Sequence, residues 1–527
     1  MSEGAVQMPQ VSAVDDQQFR SQVGHITRHS GVFFAGTVFS AAFGYIFKVY
    51  LARALGAEAL GVYALGMTLV GFLSIFNTLG LPGSAVRFVA SYQAAGRFKE
   101  LHALIWRGAA LLLAANLFFA AVLLSLGRVF AVRFYHLPGL VRYLPWFALL
   151  MLFSVVGGFY SKVLAGYRDL KWRTLIVNFI GSPLTMLLAV LLIWLGLGLR
   201  GYLMAQILSA AVAALLLVVV VQRFTPPAAR LSAMPGSYPE REVWSFSAAV
   251  LGIGFLEFIM SQVDKVALGY YWSPRDVGIY SVAAALVVYV PVVLSSVNQI
   301  FAPTIAHLYT KGDRVLLSRL FQSLTKWVIG LTLPLAVAII VFARPLMRIF
   351  GHDFESGWPI LIIGTCGQLV NCGVGSVGYL LLMSGNERRL VKVQATMAAL
   401  MVVLTAALVP VWGIVGAAIA AAVTNVGTNV WNLLLVRKVL RLSPYNRGYL
   451  RLLPGAAATV IVALVAREAS GIFHHDWIMV GAGTAMAYLI FAGATLAIGL
   501  DQDDRMIASA IWAKVRSAVG IHSGVSA

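Results

Sequence analysis

Apolar runs of 18 or more residues, separated by short stretches of turn-forming or charged residues, make up almost all of the chain beyond residue 30. A run of that length crosses roughly 30 Å of hydrocarbon as a helix, and in lipid only helices and closed barrels satisfy their own backbone. Fourteen such runs begin near residues 30, 60, 104, 144, 174, 201, 244, 277, 325, 357, 391, 413, 453 and 477. They predict an all-α polytopic membrane protein with about 14 transmembrane helices, called spans 1 to 14 below. Connecting segments stay under about 25 residues, which leaves no room for a soluble catalytic domain.

Charge orients the pattern. Of the 39 Lys and Arg residues, twenty-seven fall in the N-terminal tail, the C-terminal tail and the loops after even-numbered spans, and nine fall in the other loops. Lys and Arg in short loops are retained on the cytoplasmic side, so both termini are expected inside, at the inner (cytoplasmic) membrane. A net charge of +19 would suggest nucleic acid in a soluble protein. With 60% hydrophobic and 11% charged residues, the charge instead marks topology and contact with anionic phospholipid, and no nucleic-acid partner is expected. The first 29 residues hold Asp15, Asp16, Gln17 and Gln18 and no apolar core, so span 1 is the expected insertion signal.

The chain also repeats itself. An offset of 217 aligns Lys48-Val49-Tyr50-Leu51 with Lys265-Val266-Ala267-Leu268 and Gly61-Val62-Tyr63 with Gly278-Ile279-Tyr280; an offset of 215 aligns Gly198-Leu199-Arg200-Gly201 with Gly413-Ile414-Val415-Gly416. Each match falls at the same junction of two six-helix sets. A shift of six helices preserves orientation, so two parallel repeats are expected, an N-lobe over 30–221 and a C-lobe over 244–437, around a central cavity. A Pro-rich cytoplasmic linker covers 222–243, and a basic cytoplasmic loop covers 438–452. Two additional helices occupy 453–499. The tail 500–527 places Ile507, Ile511, Val515 and Val519 on one face, as an amphipathic helix lying on the inner surface does.

Two of the twenty acidic residues, Glu257 and Asp264, fall within a span. Seven positions bring them within about 20° on one face of span 7, with Ser261 between them and Lys265 bordering that face. An ionised group at mid-membrane costs roughly 2.5 to 3.5 kcal/mol, so these residues should face a wet cavity or each other. In span 1, Thr37, Ser40, Gly44 and Lys48 form a similar inward stripe. Lys48 and Lys265 would then line the cleft as substrate-binding cations, with Asp264 or Glu257 taking a coupling proton or sodium ion. The alternative pairs Asp264 with Lys48 and lets Lys265 reach the outer surface.

Arg107 is a third substrate-binding candidate, against the role of an interfacial anchor. Asn178, Asn425 and Asn429 are candidates for hydrogen bonds to a polar ligand such as a sugar, against bonding between helices. Span 10 carries Gly364, Gly367, Gly373, Gly375 and Gly378, which fits either a broken helix or close packing. Cys366 and Cys372 have neither redox nor metal spacing and read as buried apolar residues, and His474-His475-Asp476 reads as a solvated loop. No metal or other cofactor is expected. There is no phosphate-binding GxxxxGK[ST] loop, and the outer loops hold only scattered acids, so neither a nucleotide-driven pump nor a membrane enzyme is favoured.

The stretch from Leu51-Ala52-Arg53-Ala54-Leu55-Gly56 through Gly61-Val62-Tyr63, then Asn77-Thr78-Leu79-Gly80-Leu81 and Ala85-Val86-Arg87, resembles the Wzx-type polysaccharide biosynthesis flippases of the multidrug/oligosaccharidyl-lipid/polysaccharide superfamily. Asp264-Lys265-Val266-Ala267-Leu268-Gly269 and Pro410-Val411-Trp412-Gly413 extend the resemblance, which covers about residues 26 to 440. It implies a transporter, not an enzyme, that carries an undecaprenyl-pyrophosphate-linked glycan from the inner to the outer leaflet for surface polysaccharide such as O-antigen or exopolysaccharide. It also implies a polysaccharide polymerase and a chain-length regulator as partners, and spans 13 and 14 as a seat for the lipid tail. The rivals are a cation-coupled multidrug exporter on the same scaffold and a non-transporting component of a polysaccharide assembly complex.

Overall fold

The computed structural model describes residues 13–167, 169–225, 240–468, 475–499 and 503–506, with side chains from residue 43 onward. The linker prolines, the stripe residues Thr37 and Ser40, and the tail face from Ile507 to Val519 lie outside the described residues or side chains. The first half of the chain forms α1 (Ala13–Asn77), α2 (Leu81–Ala94), α3 (Phe98–Val129), α4 (Leu144–Gly166), α5 (Leu170–Thr174), α6 (Ser182–Leu192) and α7 (Gly198–Phe224). Next come α8 (Glu240–Tyr271), α9 (Pro274–Val287), α10 (Val292–Lys311), α11 (Arg314–Val341) and α12 (Ala343–Arg348). Last are α13 (Trp358–Val374), α14 (Val377–Met383), α15 (Glu387–Leu440), α16 (Leu452–Glu468) and α17 (Asp476–Ile498). No strand occurs among the described residues.

Among the described residues, ten helices are long and apolar enough to cross a bilayer, and α9 with α10, bent by 51° at their junction, make an eleventh. The difference from fourteen runs has a physical source. Three of the ten pass through a junction of the hydrophobic pattern without a loop: the chain turns at Gly56 inside α1, at Gly196 and Gly198 between α6 and α7, and at Gly413 inside α15. The 54 residues of Lys171–Phe224 and of Glu387–Leu440 would each extend about 80 Å as one rod, far beyond a single crossing.

These turns carry the duplication into the backbone. Gly198 has φ 52 and ψ −133, and Gly413, its counterpart at the offset of 215, has φ 53 and ψ −129. An L side chain rarely adopts that conformation, so glycine is required at both places. Close to the turn at Gly413, the indole N–H of Trp272 donates to the Val409 carbonyl at 2.8 Å.

Two compact units emerge from the packing, one of Tyr50–Val282 with Ala398–Ala420, the other of Met1–Val49, Ala283–Met397 and Ala421–Ala527. In the first, α4 lies along α7 and also packs on α2 and α3. Within it α1 also crosses α9. A Cβ at Gly61 would overlap the Pro274 carbonyl, and one at Gly278 would overlap the Ala57 carbonyl. Ala57 and Pro274, like Gly61 and Gly278, are 217 apart, so the crossing is self-complementary about the repeat axis. Towards the other end of α8, Gly80 meets the Ser247 backbone and the Ser84 and Ser247 hydroxyls lie 2.6 Å apart. Small residues allow such approach where lipid removes any hydrophobic drive between helices.

The second unit is built around α11, which packs on α10, α13, α16 and α17. Phe301, Ile305, Leu320, Phe321, Leu380 and Val436 fill its core, and Met506, past α17, joins them. Many large apolar side chains stay uncovered, among them Trp194 at 80% and Leu489 at 73% exposure. A water-facing surface does not carry so many; a lipid-facing one does.

Candidate functional site

Of the ionisable candidates on spans 1 and 7, Glu257, Asp264 and Lys265 lie in the first unit and Lys48 in the second. In the first unit, α8 presents Glu257, Ser261, Asp264 and Lys265 within nine residues. Asp264 is 6% exposed and already engaged: the Tyr280 hydroxyl on α9 donates to one carboxylate oxygen, and the Lys265 backbone N–H donates to the other at 2.8 Å. The carboxylate therefore ties α8 to α9. Glu257 is exposed, and its carboxylate has no hydrogen-bond partner among the described residues. The Ser261 hydroxyl turns to the Glu257 backbone carbonyl at 2.7 Å and does not bridge the two acids. The predicted face exists, yet one of its acids is buried and occupied while the other is open.

Lys265 folds back on its own helix. Its ammonium donates to the Ser261 carbonyl at 3.2 Å and to Gln262 Oε1 at 3.0 Å, both neutral oxygens. Tyr280 is equivalent to Tyr63 in the repeat, but the two differ in partner, since Tyr63 hydrogen-bonds Gln206 on α7.

In the second unit, the Lys48 ammonium rests over the ring of Tyr289, 5.1 Å from its centroid. Tyr289 sits in the bend between α9 and α10, and a Cβ at Gly44 would come within 3.3 Å of its hydroxyl. An ammonium held over an aromatic face gains about 0.5 to 2 kcal/mol and keeps its charge available. Neither Lys48 nor Lys265 forms an ion pair among the described residues, and neither does Asp264. Tyr289 and Tyr280 are the residues that sequence reasoning missed. The first was signalled by the interruption Tyr289-Val290-Pro291 within span 8, the second only by its match to Tyr63.

Asn425 and Asn429 pair with each other along α15, the Asn429 amide donating to the Asn425 side-chain oxygen at 3.0 Å. Both are half-buried, in the same unit as Lys48. Span 10 is both broken and closely packed: Gly375, with φ 70 and ψ −144, separates α13 from α14, and a Cβ there would overlap Thr325 on α11. At that break the Ser376 hydroxyl donates to Asn298 at 2.6 Å. Arg107 and Asn178 are exposed on α3 and on the π-helical stretch Leu175–Gly181, and neither joins the clusters around Lys48 or Lys265. Cys372 is buried, but Cys366 is exposed, which corrects the reading of both as core residues; its position on α13 turns it outward. His475 stacks on Trp477, and no group of three potential metal ligands occurs among the described residues.

The family model for polysaccharide biosynthesis protein matches residues 26–309, and the MatE family model matches residues 250–409. No curated protein sequence matches the chain. Among solved structures, the lipid II flippase MurJ in an inward closed conformation superposes with a TM-score of 0.68 at 13% identity, over 88% of this chain and 98% of that one. An inward-facing multidrug resistance MATE transporter of the MOP superfamily gives 0.60 at 15% identity, over 75% and 94% of the two chains. A MOP superfamily transporter from Pyrococcus furiosus gives 0.54 at 13% identity, over 82% and 99%. At these identities the likeness establishes a shared fold, that of multi-pass membrane transporters.

Proposed function

The chain belongs to the polysaccharide biosynthesis protein family, and we propose that within it the protein is a flippase that moves an undecaprenyl-pyrophosphate-linked oligosaccharide from the inner to the outer leaflet of the cytoplasmic membrane, for O-antigen or exopolysaccharide assembly. The observation that carries this reading is the pair of intramembrane lysines at repeat-equivalent positions, each resting on a neutral partner. A cation within the membrane costs several kcal/mol unless it is wet or paired, and an anionic headgroup offsets that cost. A pyrophosphate is such a group, and it is what a carrier lipid presents. In this account Lys48 and Lys265 each bind the substrate, and Asn425 and Asn429 exchange their mutual hydrogen bond for glycan hydroxyls. Arg107 and Asn178 stand apart from both clusters and have a weaker claim.

The α1–α9 crossing supports alternating access. Its closest approach is made of glycines and backbone carbonyls, so no side chains interlock there and the two helices can part and close again. Coupling falls to Glu257, whose carboxylate is open to a proton or a sodium ion, and not to Asp264, whose oxygens are occupied. The basic residues from Arg437 to Arg451 meet anionic phospholipid on the cytoplasmic side, where both termini also lie. A polymerase and a chain-length regulator are the protein partners of such a pathway.

Deleting the gene and identifying the polyprenyl-linked saccharide that accumulates, by mass spectrometry, tests the proposal. Accumulation of a complete repeat unit with loss of surface glycan is expected. The match to the MatE model favours a cation-coupled drug exporter as the second reading. Unchanged surface glycan with loss of dye efflux would select it.

A further inference from the structure

One cavity lies at the far end of α11 and α16 from the basic loop, within the second unit. It has a volume of about 500 Å³ and is lined by Arg344, Arg348, Glu355, Trp358, Arg467 and Asp476. Of the nine Lys and Arg residues on the face expected to be outside, three converge here. That concentration is notable on a face from which basic residues are otherwise depleted. Three guanidiniums around one cavity repel one another, and only part of that repulsion is relieved internally.

Arg348 is engaged: it donates to Asp476 at 2.8 Å, which fixes α12 to the start of α17. The Arg344 guanidinium carbon lies over the ring of Trp358, 5.1 Å from the centroid, a contact that holds the side chain without neutralising it. Neither Arg344 nor Arg467 has a carboxylate partner among the described residues. Glu355 also lines the cavity and makes no hydrogen bond there, so an acceptor for hydroxyl groups stands beside the two free cations.

We propose that this cavity is a binding site for an organophosphate bearing neighbouring hydroxyls. Arg344 and Arg467 hold the phosphate through paired N–H donors, and Glu355 accepts from the hydroxyls. Guanidinium forks match phosphate oxygens in a way that ammonium groups do not, and a stacked arginine loses less freedom on binding. Two sources supply this chemistry: a phospholipid headgroup from the adjacent leaflet, or a soluble glycerol or sugar phosphate. The site is independent of Lys48 and Lys265 and does not require that the protein transport anything.

The test uses the purified full chain in detergent. Phosphatidylglycerol binding is measured by native mass spectrometry, and glycerol 1-phosphate and inorganic phosphate binding by thermal shift, for the wild type and the R344Q/R467Q variant. Affinity at the tightest site is expected to fall about tenfold or more in the variant. Loss confined to phosphatidylglycerol identifies the lipid as the source, and loss confined to the soluble phosphates identifies them. Equal binding of all three probes to both proteins overturns the proposal. R344K/R467K keeps the charge but loses the paired donors, and should recover only part of the affinity. If it stays as weak as the glutamine variant while remaining monodisperse, the cationic site is wrong.

Discussion

Asp504 lies beyond the last helix, and its removal should destabilise the second unit out of proportion to its position near a chain end. Its carboxylate lies 2.7 Å from the Lys326 ammonium, with side-chain exposures of 12% and 5%, and the Trp327 indole N–H donates to the same oxygen at 3.0 Å. Asp503 beside it receives Arg319 at 2.6 Å and the Ser323 hydroxyl at 3.0 Å. Two adjacent acids thus fasten the segment after α17 to one face of α11, and Met506 follows them into the core. Removing one partner of a buried pair costs about 3 to 5 kcal/mol, because the other charge stays in low dielectric. The indole left without its acceptor adds about 1 to 3 kcal/mol, not fully additive. Asp504→Ala should therefore lower the apparent unfolding midpoint in detergent, followed by tryptophan fluorescence, by on the order of 5 °C. Asp503→Ala, which removes one partner of a guanidinium that is 18% exposed, should lower it less. Replacing both charges, Lys326→Met with Asp504→Leu, should recover most of the loss, since a buried pair can be exchanged for apolar residues at little net cost. An Asp504→Ala protein that melts with the wild type, or a double variant no better than the single, would refute the reasoning.

Two further predictions concern transport. Gly61→Ala or Gly278→Ala places a methyl against a carbonyl on the facing helix, so the α1–α9 crossing can no longer close; overpacking costs about 1 to 3 kcal/mol. Each variant should express normally yet lose most flipping in liposomes, and full activity in both would show that closure there is dispensable. Glu257→Gln should abolish the dependence of transport on the proton or sodium gradient, whereas Asp264→Asn, which still accepts from Tyr280, should retain it. The opposite pattern in gradient-driven flux would move the coupling site to Asp264.

The fold was legible because membrane crossing leaves a strong signal: long apolar runs, and basic residues on alternate sides. The duplication was legible at its glycines, since Gly198 and Gly413 share a backbone conformation closed to other residues and Gly61 and Gly278 share a steric one. What the pattern missed was continuity through junctions. The pattern of apolar runs registers the charged residues around Gly56, or Pro410 and Gly413, as a break, while the backbone needs only one unusual residue to turn. The site was less legible. Periodicity placed Glu257 and Asp264 on one face but carried no information about Tyr280, which takes up the second acid from another helix. Likewise Lys48 was found by its charge, and its partner Tyr289 arrives from 241 residues away at a bend. The latch at Asp503 and Asp504 had no periodic signal, because two acids after a helix end read as a solvated tail.

The central claim is that two equivalent intramembrane lysines receive the phosphate-bearing head of a lipid-linked sugar. Its most direct test is reconstitution of the Lys48→Met, Lys265→Met protein into liposomes beside the wild type, with flipping of a fluorescent polyprenyl-pyrophosphate oligosaccharide read by quenching at the outer leaflet. Loss of two charge-assisted contacts at about 1.5 to 3 kcal/mol each predicts a fall in flipping of at least a hundredfold, with the monodisperse double variant melting near the wild type. Flipping at the wild-type rate by a well-folded double variant would contradict the account.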